Sequence, residues 1–294
     1  MRGTLLLAFA AFLWRDGSAA PDPRLAAAIP RLESVIQRSG ADVAVAFRTL
    51  DGRTQWLRRA DEPFHAASTM KVAVLIELYR QARQGKLKLD DPLRVKNEFH
   101  SLVDGSAFAL DPDDDSDRNL YRAVGGTRTL RELSELMITV SSNLAANLLM
   151  DRLGVENIRA GVHALGADGM NVLRDLEDAK AFEQGLVNTT TAQALLTLLE
   201  AIARSRAVDP ESSRQMLETL ERQTINEAIP AAGLPAGTRV AHKTGDITRI
   251  WHDAGIVLAS RPFVLVVLTR GLENPKESTA LIAEITRELY RATQ

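Results

Sequence analysis

The chain has 294 residues, 45% of them hydrophobic, with 36 lysines and arginines against 38 aspartates and glutamates. That length holds one large or two modest domains around a sizeable core, and a formal net charge of -2 excludes the basic excess that nucleic acid or an anionic membrane surface calls for. There are no cysteines, which excludes disulfides, a thiol nucleophile and lipid attachment at an N-terminal cysteine.

The first elements are legible from pattern. Arg2, the apolar run Leu5 to Trp14 and the small residues Ser18, Ala19 and Ala20 predict a secretory signal over residues 1–20. The run is shorter than the roughly 20 residues that span a bilayer. Arg15, Asp16 and Pro21 beside the cleavage region leave an uncleaved membrane-proximal anchor as the alternative. A cysteine-free exported chain suits the bacterial periplasm. Leu25, Ala28, Ile29, Leu32, Val35 and Ile36 recur at helical spacing up to Gly40. Val43, Val45 and Phe47 then alternate, Asp51-Gly52 marks a hairpin turn, and Thr54 to Leu57 returns as a second strand.

Ser68 and Lys71 follow, at the start of the apolar run Val72 to Leu78, which predicts a buried helix to about Gly85. Residues three apart share a helix face. A serine on a first helical turn also sits beside free backbone N–H groups, where developing negative charge is stabilised. Alone, this pair is a weak signal. Beyond it, the acidic stretch Asp111, Asp113, Asp114, Asp115 and Asp117 lacks the central glycine and distal glutamate of an EF-hand and is expected to be a solvated loop. Thr129 with Glu132 forms a capping box before a helix to Val140. Helices are expected over Asn143 to Leu153, Val155 to Leu165, Thr191 to Arg204 and Pro210 to Glu221. Strands return over Arg239 to Lys243, Asp253 to Leu258 and Phe263 to Thr269, and an amphipathic helix, Lys276 to Tyr290, closes the chain.

Strands at both ends and helices between them predict an α/β plus all-α fold. An antiparallel sheet of about five strands is flanked by N- and C-terminal helices. The sheet domain comes from residues 21–66 and 227–294, an all-α domain of residues 67–226 is inserted into it, and the active site is expected at their interface.

Two further triplets give Ser68 its weight: Ser141-Ser142-Asn143 at a helix start, and Lys243-Thr244-Gly245 on a predicted strand. Together with Ser68-x-x-Lys71 they resemble, in order and in their long separations, the S-x-x-K, S-D-N and K-T-G set of the class A β-lactamases and penicillin-binding proteins. The resemblance spans nearly the whole mature chain. It implies a β-lactamase/transpeptidase-like fold and a covalent acyl-enzyme on Ser68, with no cofactor and no metal. Lys71 eases removal of the serine proton. Ser141 passes a proton to the leaving nitrogen with help from Lys243, and Asn143 orients Lys71 and the substrate amide. Lys243 and Thr244 grip a substrate carboxylate. Gly245 admits the substrate to the strand edge, and the backbone N–H groups of Ser68 and Asp246 form the oxyanion hole.

The chain departs from that pattern in three places. Ser142 stands where the family has aspartate. The family's E-x-x-L-N loop is not intact between Arg174 and Thr190; Glu177 is the best-placed deacylation base, Asp178 the alternative, and Glu183 a third register. Where the family adds an arginine on the strand after K-T-G, this chain has Asp253 and Ala254, so Arg249 or His252 is expected to take its place. The histidines lack metal-site spacing, and G-x-S-x-G is absent, which argues against metallo- and α/β-hydrolases. The resemblance therefore points to an exported serine β-lactamase, and a monomer is expected. The alternatives are a D-alanyl-D-alanine carboxypeptidase or transpeptidase acting on peptidoglycan-derived substrate with slow deacylation, and a catalytically silent binding module.

Overall fold

The computed structural model describes residues 22–294, so the export signal expected over residues 1–20 lies outside the described residues. Asp22 accepts a hydrogen bond from the backbone N–H of Arg24 and starts α1, Pro23–Ser39, which stops where Gly40 turns left-handed. β1, Asp42–Thr49, and β2, Gln55–Arg58, form the hairpin. A single 3-10 turn, Ala67–Met70, leads into α2, Lys71–Arg83. There follow α3, Leu130–Thr139, with the predicted capping box present; α4, Asn143–Leu153; α5, Val155–Ala164; and the short α6, Ala179–Glu183. Next come α7, Ala192–Ala203, and α8, Pro210–Glu221. The chain returns to the sheet with β3, Arg239–Ile247; β4, Ile250–Leu258; and β5, Phe263–Arg270. It ends on α9, Pro275–Thr293.

The sheet is antiparallel, in the order β2-β1-β5-β4-β3, so strands from both ends of the sequence are interleaved. Alternation along β1 assigns its faces. Val43, Val45 and Phe47 pack with Leu25, Leu32 and Ile36 of α1 and Ile282, Ile285 and Leu289 of α9. Ala44 and Ala46 point the other way into the larger core, which also holds Val72 to Tyr79 of α2 and most of α7. Small side chains on that face let α7 lie close against β1, β4 and β5. With both faces covered, the central strands read as nearly unbroken apolar runs. α2 is buried from Lys71 to Tyr79, which makes it the axis of the helical layer.

β3 is an edge strand, and its paired side is tied to β4 by more than the ladder. His242 Nδ1 lies 2.9 Å from Asp253 Oδ1, and Asp253 Oδ2 accepts the backbone N–H of Ile229 at 2.9 Å. All these side-chain atoms are fully buried. Asp253 is therefore a structural brace in the sheet.

The acidic stretch is not uniformly solvated, as the sequence suggested. Asp111, Asp113 and Asp114 are exposed, but Asp115 and Asp117 are buried. Spacing alone could not separate them, because the donors that Asp115 satisfies come from residues 121, 143 and 144.

Gly255 faces His242 across the β3–β4 pair, and a Cβ there would lie 2.9 Å from His242 Cβ and 3.3 Å from Ala241 O. Gly255→Ala is expected to cost about 1–3 kcal/mol through overpacking, read as a lowered urea midpoint with unchanged helix content; an unchanged midpoint would contradict this packing.

Candidate active site

Ser68 occupies the middle of the 3-10 turn, where a regular helix start was expected. The turn is entered through Ala67 at φ 44°, a conformation costly for a residue with a Cβ. It is held by the Ala67 N–H donating to His65 Nδ1 at 3.0 Å and by Thr69, whose N–H and Oγ1 both donate to Ala66 O. The tighter winding aims backbone N–H groups toward the strand edge before α2 begins.

Lys71, one turn on, is fully buried. Its Nζ donates to Ser141 O at 2.7 Å, to Asn143 Oδ1 at 2.8 Å and to Ser141 Oγ at 3.3 Å. From the opposite side Lys243 Nζ, also fully buried, donates to Ser141 Oγ at 3.0 Å and to Thr244 O at 2.9 Å. One hydroxyl is thus shared by two amines. Burial and the neighbouring Lys243 charge push the Lys71 amine well below the usual lysine range, against the pull of Asp115, Asp246 and Glu177. Burial lowers Lys243 to about 8, opposed by Asp246 and Asp253. Ser141 reaches its place through a left-handed backbone at φ 62°. Ser142 is buried and caps α4, accepting the Ala145 N–H at 3.2 Å.

Asn143 is the link to the loop that follows α5. Its Nδ2 donates to Glu177 Oε1 at 2.8 Å. Asn147, one turn further along α4, clamps the preceding residue: Leu176 N–H donates to Asn147 Oδ1 at 2.8 Å, and Asn147 Nδ2 donates to Leu176 O at 2.9 Å. Glu177 itself sits at φ 66°. Burial raises its carboxyl above the usual range; the Asn143 hydrogen bond opposes this, and the charges of Asp115 and Asp114 add to it.

Asp178, the alternative base, is engaged elsewhere. It caps α6 by accepting the Ala181 N–H at 3.1 Å, and it accepts Ser101 Oγ at 2.8 Å and the Leu102 N–H at 2.9 Å. Burial works against its charge, but those donors hold its carboxyl below the usual range. Glu183 closes α6 and is exposed.

The expected arginine substitute does not reach the site. Arg249 turns outward, pairs with Glu273 at 3.0 Å and donates to Gly271 O at 3.1 Å. A β-turn at the β3–β4 hairpin aims residue 249 away from the strand edge that carries Lys243. His252 is buried, and both its ring nitrogens are used: Nε2 lies 2.9 Å from His65 O, and Nδ1 accepts the Thr269 N–H at 3.1 Å. Burial lowers its pKa to about 4, so the ring is neutral.

Gly245 lies directly against the serine turn. A Cβ there would be 2.9 Å from Thr69 N and 3.0 Å from Ser68 N. A cavity of about 690 Å³ opens beside it, lined by Ser68, Asn143, Glu177, Phe182, Asp246 and Ile247 among others. Phe182 and Ile247, both solvent-exposed, form an apolar rim. Across Thr244 a recess of about 350 Å³ is lined by Trp251, Glu227 and Lys276. Thr244 Oγ1 is buried beside it without a hydrogen-bond partner among the described residues. Asn147, Phe182, Ile247 and Lys276 belong to no motif in the sequence, although the spacing of Asn143 and Asn147 on one helix face is a signal for the first.

A serine on a tight turn, two buried lysines on one hydroxyl and a carboxylate reached through an asparagine are the equipment of a serine hydrolase. The chain belongs to the beta-lactamase enzyme family, whose profile matches residues 25–293. It is 31% identical over 245 residues to a beta-lactamase of Bacillus licheniformis, covering 80% of this chain and 73% of that one. Among solved structures, PBP-A superposes with a TM-score of 0.79 at 26% identity, covering 93% of this chain and 98% of that one. A beta-lactamase of Sphaerobacter thermophilus gives 0.76 at 25% identity over 92% and 96%.

Gly245→Ala is expected to wedge β3 away from the Ser68 N–H and slow acylation by penicillin at least about a hundredfold, followed by intact-protein mass spectrometry. Acylation at the native rate would show that strand and turn are not functionally in contact.

Proposed function

We propose that this protein is an exported serine β-lactamase that hydrolyses the lactam amide through an acyl-enzyme on Ser68. The observation that carries this reading is the Asn143 side chain, which joins Lys71 and Glu177 at 2.8 Å each and so sets an amine and a carboxylate beside one nucleophile. Ser68 Oγ attacks the lactam carbonyl carbon while its proton passes to Lys71 Nζ, whose depressed pKa makes the neutral amine accessible. The oxyanion is received by the N–H groups of Ser68 and Asp246. The ring C–N bond breaks, and the nitrogen takes its proton from Ser141 Oγ, which regains one from Lys71 Nζ while Lys243 keeps its charge. Glu177 then removes a proton from water; the hydroxide attacks the ester carbonyl, and Ser68 Oγ leaves and takes up the proton that Glu177 removed, which restores the carboxylate. Lys243 and Thr244, with its unpartnered Oγ1, hold the substrate carboxylate, and Lys276 is the further cation lining the adjoining recess.

Export rests on the Leu5 to Trp14 run; no described helix is long and apolar enough to cross a membrane. The cavity is lined by residues of this one chain, which supports the proposal that the protein acts as a monomer. The likeness to PBP-A favours one second reading, a peptidoglycan-directed hydrolase with a persistent acyl-enzyme. Intact-protein mass spectrometry after penicillin separates the two: rapid return to the free mass supports the lactamase, and a long-lived adduct the alternative. No turnover of a chromogenic cephalosporin and no adduct would sink both.

Glu177→Gln is expected to form the acyl-enzyme quickly and retain it, with turnover lowered about a hundredfold or more. Asp178→Asn is expected to loosen the loop at Ser101 and Leu102 without trapping the adduct. The converse pattern would move the base to Asp178. In the wild type, kcat should fall on acidification through the raised Glu177 pKa, since the base must be ionised. The value of kcat/KM should fall as pH rises through about 8, because Lys243 loses the charge that holds the carboxylate. A flat profile across pH 8 would remove Lys243 from that role.

A further inference from the structure

The family resemblance leaves one place empty, the aspartate of the second triplet, where this chain has Ser142. A carboxylate nevertheless stands at the N-terminus of α4. Asp115 arrives from the acidic loop and is 5% exposed. Its Oδ1 accepts the backbone N–H groups of Asn143 at 3.0 Å and Asp117 at 3.1 Å. Its Oδ2 accepts the Leu144 N–H at 2.9 Å and the Tyr121 hydroxyl at 2.9 Å. The Asn143 N–H is shared, with Oδ2 at 3.1 Å. A carboxylate with these donors at a helix N-terminus is stabilised both by charge-assisted hydrogen bonds and by the helix dipole.

Two of those donors belong to the first turn of the helix that carries Asn143. Ser142 Oγ takes one N–H of that turn, from Ala145. The remaining free donors would otherwise be buried and unsatisfied. The backbone of Asn143 is pinned by Asp115, while its side chain holds Lys71 on one side and Glu177 on the other.

We propose that Asp115 is a positioning residue for the reaction: it supplies from a distant loop the charge that Ser142 lacks, and it fixes the Asn143 bridge between Lys71 and Glu177. This rests on the acyl-enzyme reading of the site. Asp115 touches no reacting atom and acts through Asn143.

Its charge is also felt at both ends of the bridge. The charged groups bearing on Glu177 are Asp115 and Asp114; those bearing on Lys71 are Lys243, Asp115, Asp246 and Glu177. Asp115 opposes ionisation of Glu177, so neutralising it lowers the Glu177 pKa.

The test is Asp115→Asn. Its amide keeps the shape but turns an N–H pair toward the backbone donors. Penicillin turnover is expected to fall about tenfold to a hundredfold, mostly in kcat with little change in KM, and the acid limb of kcat is expected to move to lower pH. Asp113→Asn, an exposed carboxylate of the same loop paired with Arg118, should move neither. A purely structural role would lower the melting temperature and leave the acid limb in place, which would overturn the proposal. So would turnover within twofold of wild type. Should Asp115→Asn fail to fold, the double variant with Ser142→Asp decides: an aspartate restored at the N-cap should recover folding and turnover, and failure to do so counts against the proposal. A wild type that forms no adduct on Ser68 sinks the reading of the site itself, and this inference with it. A wild type that turns over beside an indifferent Asp115→Asn sinks this inference alone.

Discussion

Two lysine side chains meet, wholly buried, at the hydroxyl of Ser141. Placing two like charges in such a position costs several kcal/mol of desolvation per ion, to which their mutual repulsion adds. Much of the surrounding structure answers that cost. Three oxygens face Lys71 and two face Lys243. A second ring of anions, Asp115, Asp246 and Glu177, favours the charge on Lys71 from outside. The compensation is incomplete, and both amines are left with depressed pKa values. An amine with a depressed pKa exchanges a proton with a serine more readily than a solvated lysine at its usual pKa does.

The geometry of that meeting depends on the interleaved sheet. Lys243 comes from an edge strand, and only an edge strand has a free side to offer a turn such as Ala67–Met70. β3 is kept in place by its ladder with β4 and by the buried His242–Asp253–Ile229 brace on the side away from the serine. Lys71 comes from α2, the most enclosed helix of the other layer. The cavity therefore forms where the edge of the sheet meets the helical layer, the two being joined by one core. Three of the six described non-glycine residues with positive φ, Ala67, Ser141 and Glu177, lie at that junction, each a few residues from a helix that holds it.

The sequence was most legible where local chemistry decides structure. The capping box at Thr129, the glycine stop at Gly40 and the alternation of β1 carried over directly, and the three motifs met at one site. Legibility failed where the partner lies far along the chain. Asp115 and Asp113 look alike in a row of aspartates, and only the backbone of α4, about thirty residues on, distinguishes them. The loop carrying Glu177 has little periodicity; its conformation is set by Asn147 and by the donors around Asp178, not by its own propensity. Arg249 has the charge the site calls for, but the hairpin that carries it turns that charge to solvent and Glu273.

The neighbouring carboxylates Glu177 and Asp178 show how environment, and not residue type, divides the labour. Asp178 accepts two backbone N–H groups and a hydroxyl, which satisfy its charge and hold its pKa low, so it has little basicity to offer a water molecule. Glu177 is half-buried and faces two further aspartates, and the Asn143 amide and the Asp111 backbone do not fully offset this, so its conjugate base is relatively destabilised and correspondingly avid for a proton. A general base needs that imbalance together with reach, and only Glu177 has an asparagine connecting it to the lysine beside Ser68. The left-handed backbone at residue 177 turns consecutive side chains in different directions, one to Asn143 and the cavity and the other to Ser101, Leu102 and Ala181. Asn143 then does for the loop what Ser141 does for the lysines: it binds two titrating groups through one neutral side chain, so that a proton gained by one is felt by the other.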